Sequence, residues 1–145
     1  MNKSKNSGFS AAEKEAMKAR ARELKLQEKF GNDKAKGEKD VLATIAKLSG
    51  PDREMAERLH KIVSETAPDL LPKTMYGMPG YANREGKNIL FFQAAQKFGT
   101  RHASLGFSDL AKLDDGNMWP SSFGIVKIGP AEEKRIKALI KKALR

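Results

Sequence analysis

Apolar and polar positions alternate so as to divide the chain into a helical front, a strand-rich middle and a helical end. Val41, Leu42, Ile45 and Leu48 fall at helical spacing. Ser49-Gly50-Pro51 interrupts that run, and Pro51 suits the first position of a new helix, where a missing N–H costs little. Met55, Leu59, Ile62 and Val63 then form an i, i+4, i+7, i+8 stripe that Pro68 ends. Short strands are predicted over 73–77 and 80–83, around Met78-Pro79, with Arg84-Glu85-Gly86-Lys87 as a hairpin turn. The strongest strand covers 88–94, where Ile89 and Phe91 point one way and Leu90 and Phe92 the other. Apolar residues on both faces imply a central strand covered twice, or a sheet with one apolar face left for a ligand. Residues 100–107 alternate with Ala103, Leu105 and Phe107 on one side. Ser108 caps a predicted short helix through Leu113, Asp114-Asp115-Gly116 is a turn, and a last strand covers 122–128. Gly129-Pro130 opens a terminal helix with a stripe of Ile136, Leu139, Ile140 and Ala143. Its Glu132 and Glu133 suit the positive end of the helix dipole, and Lys141, Lys142 and Arg145 the negative end.

Ahead of these elements, Ser10-Ala11-Ala12-Glu13 reads as a capping box. The run to Phe30 is rich in good helix formers, but Ala16, Met17, Ala21, Leu24 and Phe30 make only a thin apolar face. The reading is a helical arm that projects or docks loosely, ended by Gly31-Asn32 and followed by a polar linker over 31–39. Links between the strands are too short for parallel crossovers, so pairing is antiparallel. The expected fold is therefore α+β: an antiparallel sheet of about five strands with helices packed on one face, plus an N-terminal helical arm. The expected division is a basic arm and linker at 1–39 and an α+β domain at 40–145.

Composition narrows the function classes. The 145 residues suit one domain large enough to bury its own core. Without cysteine there is no disulfide, thiolate metal site or cysteine nucleophile, and a cytoplasmic location is the economical reading. The polar stretch Met1–Ser10 lacks the apolar run of a signal peptide, and no segment approaches the roughly 20 apolar residues of a membrane span. The net charge of +10 is uneven: residues 1–40 carry 11 Lys/Arg against 7 Asp/Glu, 41–130 carry 11 against 9, and 131–145 carry 6 against 2. Basic ends attract nucleic acid or an acidic partner, and equally keep a surface solvated.

Enzyme signatures are poor. There is no P-loop or dinucleotide Gly-rich turn. The two histidines, His60 and His102, form no Ser-His-acid set, and His60 is expected at the polar edge of its helix. His102, Asp109, Asp114 and Asp115 offer hard-cation ligands, although Asp-Asp-Gly is also an ordinary turn. No cofactor is expected. The aromatic set is more informative. Tyr76, Tyr81 and Trp119 lie beside Met78-Pro79 or Met118-Pro120, and such residues often line pockets. The expected ligand-binding residues are Tyr76, Met78, Pro79, Tyr81 and Trp119, with Lys73, Lys97 and Arg101 as an anion-binding rim. Aromatics and basic residues on a sheet are also the elements of single-strand nucleic-acid binding, although no RNP-like or helix-turn-helix pattern is present.

The stretch Lys73-Thr74-Met75-Tyr76-Gly77-Met78-Pro79-Gly80-Tyr81, then Gly86-Lys87, then Leu90-Phe91-Phe92, resembles the domain of unknown function 1801 family, also called YdhG-like. Leu105-Gly106-Phe107 is similar to that family's next strand, and the match spans about residues 40–145. The resemblance implies a frataxin-like α/β sandwich and no established catalytic residues. Some relatives are described as iron chaperones with an acidic surface, whereas here acidic residues are scattered and the chain is basic. The combined expectation is a small non-enzymatic binding protein with its ligand, a small molecule or acidic partner, on the aromatic sheet region. A basic nucleic-acid-binding accessory protein and an iron-binding chaperone are the alternatives.

Overall fold

The computed structural model describes residues 8–145, so the polar opening Met1–Ser7 lies outside the described residues. Its elements are α1 (Ala11–Phe30), α2 (Lys34–Ala46), α3 (Gly50–Thr66), β1 (Leu71–Pro72), β2 (Gly80–Ala82), β3 (Asn88–Gln93), α4 (Ala95–Phe98), β4 (Ala103–Phe107), β5 (Ser122–Ile125) and α5 (Pro130–Ala143). The strands form one sheet in the order β1-β2-β3-β4-β5, each pair antiparallel. The fold is thus the expected α+β class.

Register explains where the core sits. Directly paired residues share a face, and Tyr81↔Leu90↔Phe107, Phe92↔Leu105↔Phe123 and Ala103↔Ile125 set one apolar face across β2 to β5. Val41 and Ile45 of α2, Met55, Leu59, Ile62 and Val63 of α3, and Ile136 and Ile140 of α5 join that face in a single cluster. Burying a side chain such as Leu90, Phe92 or Ile140 contributes about 1.5–3 kcal/mol, which is what selects this register over a one-residue slip.

Three expected elements differ, and one unexpected element is present. The linker expected over 31–39 is a short turn followed by α2, because the Asp33 side chain accepts from the Lys36 N–H and starts the helix six residues early. The strand expected over 73–77 is instead the extended arm of a hairpin, with β1 confined to Leu71–Pro72 and an isolated Met75↔Met78 bridge near the tip. The helix expected over 108–113 is a turn in which the Leu110 N–H bonds the Ser108 hydroxyl. A short helix occurs instead at Ala95–Phe98, because the buried carboxylate of Asp52 on α3 accepts from the N–H groups of Ala95 (3.2 Å) and Gln96 (2.9 Å). No pattern local to residues 95–98 announces that remote cap.

The basic arm α1 carries the capping box between Ser10 and Glu13 and buries no residue. It docks by polar contacts: the Gln27 amide donates to the Thr74 carbonyl, and the Asn32 amide to the Arg84 carbonyl. No helix among the described residues is long and apolar enough to cross a membrane.

Candidate functional site

The β1–β2 hairpin projects past the end of the sheet and turns at Tyr76-Gly77. Tyr76 has φ +52°, a left-handed conformation that costs a side-chain-bearing residue on the order of 1–2 kcal/mol, and Gly77 follows at φ +74°. The tip is held from three sides. Glu23 of α1 accepts from the Tyr76 N–H at 2.8 Å and from the Gly77 N–H with its second oxygen. Lys97 of α4 donates to the Gly77 carbonyl at 2.8 Å. The Arg20 guanidinium, paired with Glu23 at 3.1 Å, lies 4.1 Å from the centre of the Tyr76 ring. Tyr76 nevertheless remains 59% exposed. Partial burial and the neighbouring Lys47 charge lower the Lys97 pKa, against a smaller opposing pull from Glu23. Lys73 is lowered by burial and by Arg20.

The five expected ligand-binding residues do not form one site. Tyr81 is 1% exposed and belongs to the core. Its hydroxyl donates to Nδ1 of His60 at 2.9 Å, and Nε2–H of His60 donates to Glu38 at 2.9 Å. His60 is therefore buried, not at a polar edge, and is committed to a closed polar chain. Pro79 is buried as well, and Met78 half-buried. Trp119 packs against the core beyond the far end of β4, near Ser121, whose carbonyl accepts from Phe107 N–H. The row Gly80–Phe91–Gly106–Ser122 crosses three strand spacings, about 14 Å. Tyr76 leaves that row toward one end of the sheet and Trp119 toward the other. Of the five, only Tyr76 is an exposed aromatic.

Sequence reasoning allowed a sheet face left for a ligand but named none of the residues that line it as binding residues. Phe91, Gln93, Ser104, Gly106, Ser122 and Gly124 share it by register, and Phe91 stands outside the hydrophobic cluster. A Cβ at Gly106 would fall 2.4 Å from Cζ of Phe91 and under 3 Å from both Cε atoms, so the Phe91 ring lies flat across that glycine. A Cβ at Gly124 would meet Cε1, Nδ1 and Nε2 of His102 at 2.9–3.2 Å, so the imidazole lies flat on the next strand. The His102 Nδ1–H donates to the Ala103 carbonyl at 2.9 Å, which leaves Nε2 as an acceptor. Strand geometry separates the two glycines by roughly 8 Å. Gln93 and Ser104, directly paired and half-buried, supply hydrogen-bonding groups between them. The outer face is therefore a shallow floor carrying two planar rings, with polar groups alongside. Its sequence signal was the Phe91 position itself, an apolar residue on the wrong side of a one-faced sheet.

Two other arrangements carry less. A cleft of about 200 Å³ lies between α1, α2 and β1, with Gln27, Asn32, Lys73 and Thr74 in its wall. The Gln27, Asn32 and Lys73 side chains already donate to carbonyls of Thr74, Arg84 and Gly86, so this cleft is the seam along which α1 docks. The metal set considered from sequence is dispersed, since His102 precedes β4 while Asp109, Asp114 and Asp115 follow it. Among the described residues no three His, Asp or Glu side chains gather as a metal site. No protein-family model, curated protein or solved structure matches this chain.

Proposed function

We propose that this chain is a non-enzymatic, cytoplasmic binding module of the YdhG-like kind whose outer sheet face takes a flat ligand. The observation that carries this reading is the pair of planar side chains, Phe91 and His102, laid flat over Gly106 and Gly124 on a face outside the core. A flat ring presents one face to its floor and the other to an incoming planar group, and offset stacking of that kind is worth about 0.5–1.5 kcal/mol beyond area burial. The YdhG-like reading is supported by the aromatic-Gly-Met-Pro stretch forming a hairpin tip and by the order of strands after it. The non-enzymatic reading is supported by the commitment of both ring nitrogens of His60 to partners within the fold and by the bond of the His102 Nδ1–H to a backbone carbonyl.

Titration of isotopically labelled protein with adenosine 5′-monophosphate, read by amide chemical shifts, tests the site. Shifts should centre on Phe91, Ser104 and His102. Gly106→Ala forces the Phe91 ring off its floor and should weaken this binding about tenfold, while overpacking costs about 1–3 kcal/mol of stability. Shifts confined to α1, or none, would remove the outer face as the site.

A further inference from the structure

We infer that the outer sheet face binds single-stranded nucleic acid, with Tyr76, Phe91 and His102 as stacking surfaces and Lys97, Arg101 and Lys127 as phosphate contacts. The inference rests on the reading of that face as a platform for planar ligands, and adds the class of ligand.

Topology supplies the first argument. β2 and β4 run one way and β3 and β5 the other. Lys97 follows β3, Arg101 and His102 precede β4, and Lys127 follows β5, so all four sit at one end of the sheet. The Tyr76 tip is at the same end, since Lys97 reaches the Gly77 carbonyl. Planar groups and cations thus run together across the sheet: Tyr76 with Arg20 on one side, then Lys97, then Phe91 over β4, then His102 over β5, with Arg101 beside it in sequence and Lys127 at the same end, in a cleft against α3.

Charge supplies the second. From Gly86 to Ser108 the chain contains no Asp or Glu, and none occurs from Gly116 to Ala131. These stretches contain β3, α4, β4 and β5, and their charged residues are Lys87, Lys97, Arg101 and Lys127. The exposed carboxylates Asp109, Asp114 and Asp115 lie in the β4–β5 connection, at the opposite end of the sheet. A polyanion therefore meets cations without facing carboxylates from the strands it crosses. Of the carboxylates on packed helices, Asp52 beneath α4 is buried and bonded to backbone N–H groups, Glu23 is taken up by the Tyr76 and Gly77 N–H groups and Arg20, and Glu54 stands in the cleft with Lys127.

Chemistry chooses the occupant. Stacking on separate rings requires unpaired bases, which a duplex keeps inside its own stack. An acidic peptide would satisfy the cations but has no regular series of planar groups to meet the rings. Single-stranded nucleic acid has both, and Gln93, Ser104 and the Nε2 of His102 offer base-edge contacts that are not selective for one base.

Fluorescence anisotropy of the full chain with labelled dT12 and U12 tests the inference, with the duplex dT12·dA12 and polyglutamate as competitors. Single strands should bind at least tenfold more tightly than the duplex. Neutralising about three phosphates gives a slope of log affinity against log salt near −2. Phe91→Leu with His102→Ala should lower affinity about 5- to 100-fold. Arg101→Gln and Lys127→Gln together, both exposed, should flatten the salt slope without moving the thermal melt, which keeps the test informative if the ring variant folds poorly; Lys97 is left intact because it also holds the hairpin tip. Equal affinity for duplex, or full displacement by polyglutamate, overturns the inference. So does binding that survives these variants but disappears when Lys134, Arg135, Lys141 and Lys142 become Gln, since that puts the contact on α5. If the mononucleotide shifts Phe91 and His102 but the oligonucleotides bind no tighter, the platform stands and the polymer does not. If neither binds, both readings fall.

Discussion

The phenol of Tyr81 ends a polar chain that runs from Glu38 through His60 into the core. The imidazole donates from Nε2 to the carboxylate and accepts the phenol proton at Nδ1, so each buried polar atom has a partner. Tyr81→Phe removes one donor and leaves the buried Nδ1 of His60 unsatisfied, a loss of about 1–3 kcal/mol measurable by urea unfolding. Adenosine monophosphate binding should be unaffected, because Tyr81 faces the helices and Phe91 the other side. Burial first, and the Glu38 charge second, raise the Tyr81 pKa well above its ordinary value near 10. The folded state holds the neutral phenol, so this contribution is complete below about pH 10 and is lost as pH rises beyond it. Stability should therefore fall on the alkaline side, and Tyr81→Phe should shallow that limb of the pH–stability curve.

Among the elements, the β1–β2 hairpin depends on a helix that adds nothing to the core. Glu23 spans the left-handed turn with one oxygen on each N–H and holds Arg20 over the ring. Hydrogen bonds to a charged group contribute about 1.5–3 kcal/mol, enough to offset the cost of the positive φ at Tyr76. Glu23→Gln keeps the shape but leaves one N–H facing an amide donor. Amide exchange at Tyr76 and Gly77 should then accelerate about tenfold or more, with exchange in β3 and β4 unchanged. Equal acceleration throughout would mean that the helix stabilises the whole fold rather than its tip.

Over the whole molecule, stability and charge are arranged separately. The core lies between one sheet face and α2, α3 and α5, and α1 buries no side chain in it. A chain starting at Gly31 should retain its sheet and melt within about 5 °C of the full chain, by circular dichroism. A much larger drop would place α1 in the cooperative unit. The excess charge falls on the arm, on α5 and at one end of the sheet, while the acidic β4–β5 turn occupies the other end.

Much of this arrangement was legible along the chain, because it depends on interactions between near neighbours. The stripes of α3 and α5, the capping box of α1, the alternation of β4 and the antiparallel pairing follow from periodicity, caps and short connections. The class of fold followed from those. The start of α2 was local too, in the Asp33 cap, but the glycine beside it favoured a linker. The candidate site was another matter. Tyr76 and Tyr81 are similar in residue type and neighbourhood, yet one is exposed at a turn and the other buried against His60. Composition pairs Trp119 with Tyr76, whereas register places them at opposite corners of the sheet. The flat seats of Phe91 and His102 depend on glycines one strand away, a pairing that exists only once the strands are aligned. Local chemistry sets which segments coil or extend, whereas which side chains meet depends on register between segments distant in sequence, and there a shift of one residue exchanges the core for the surface.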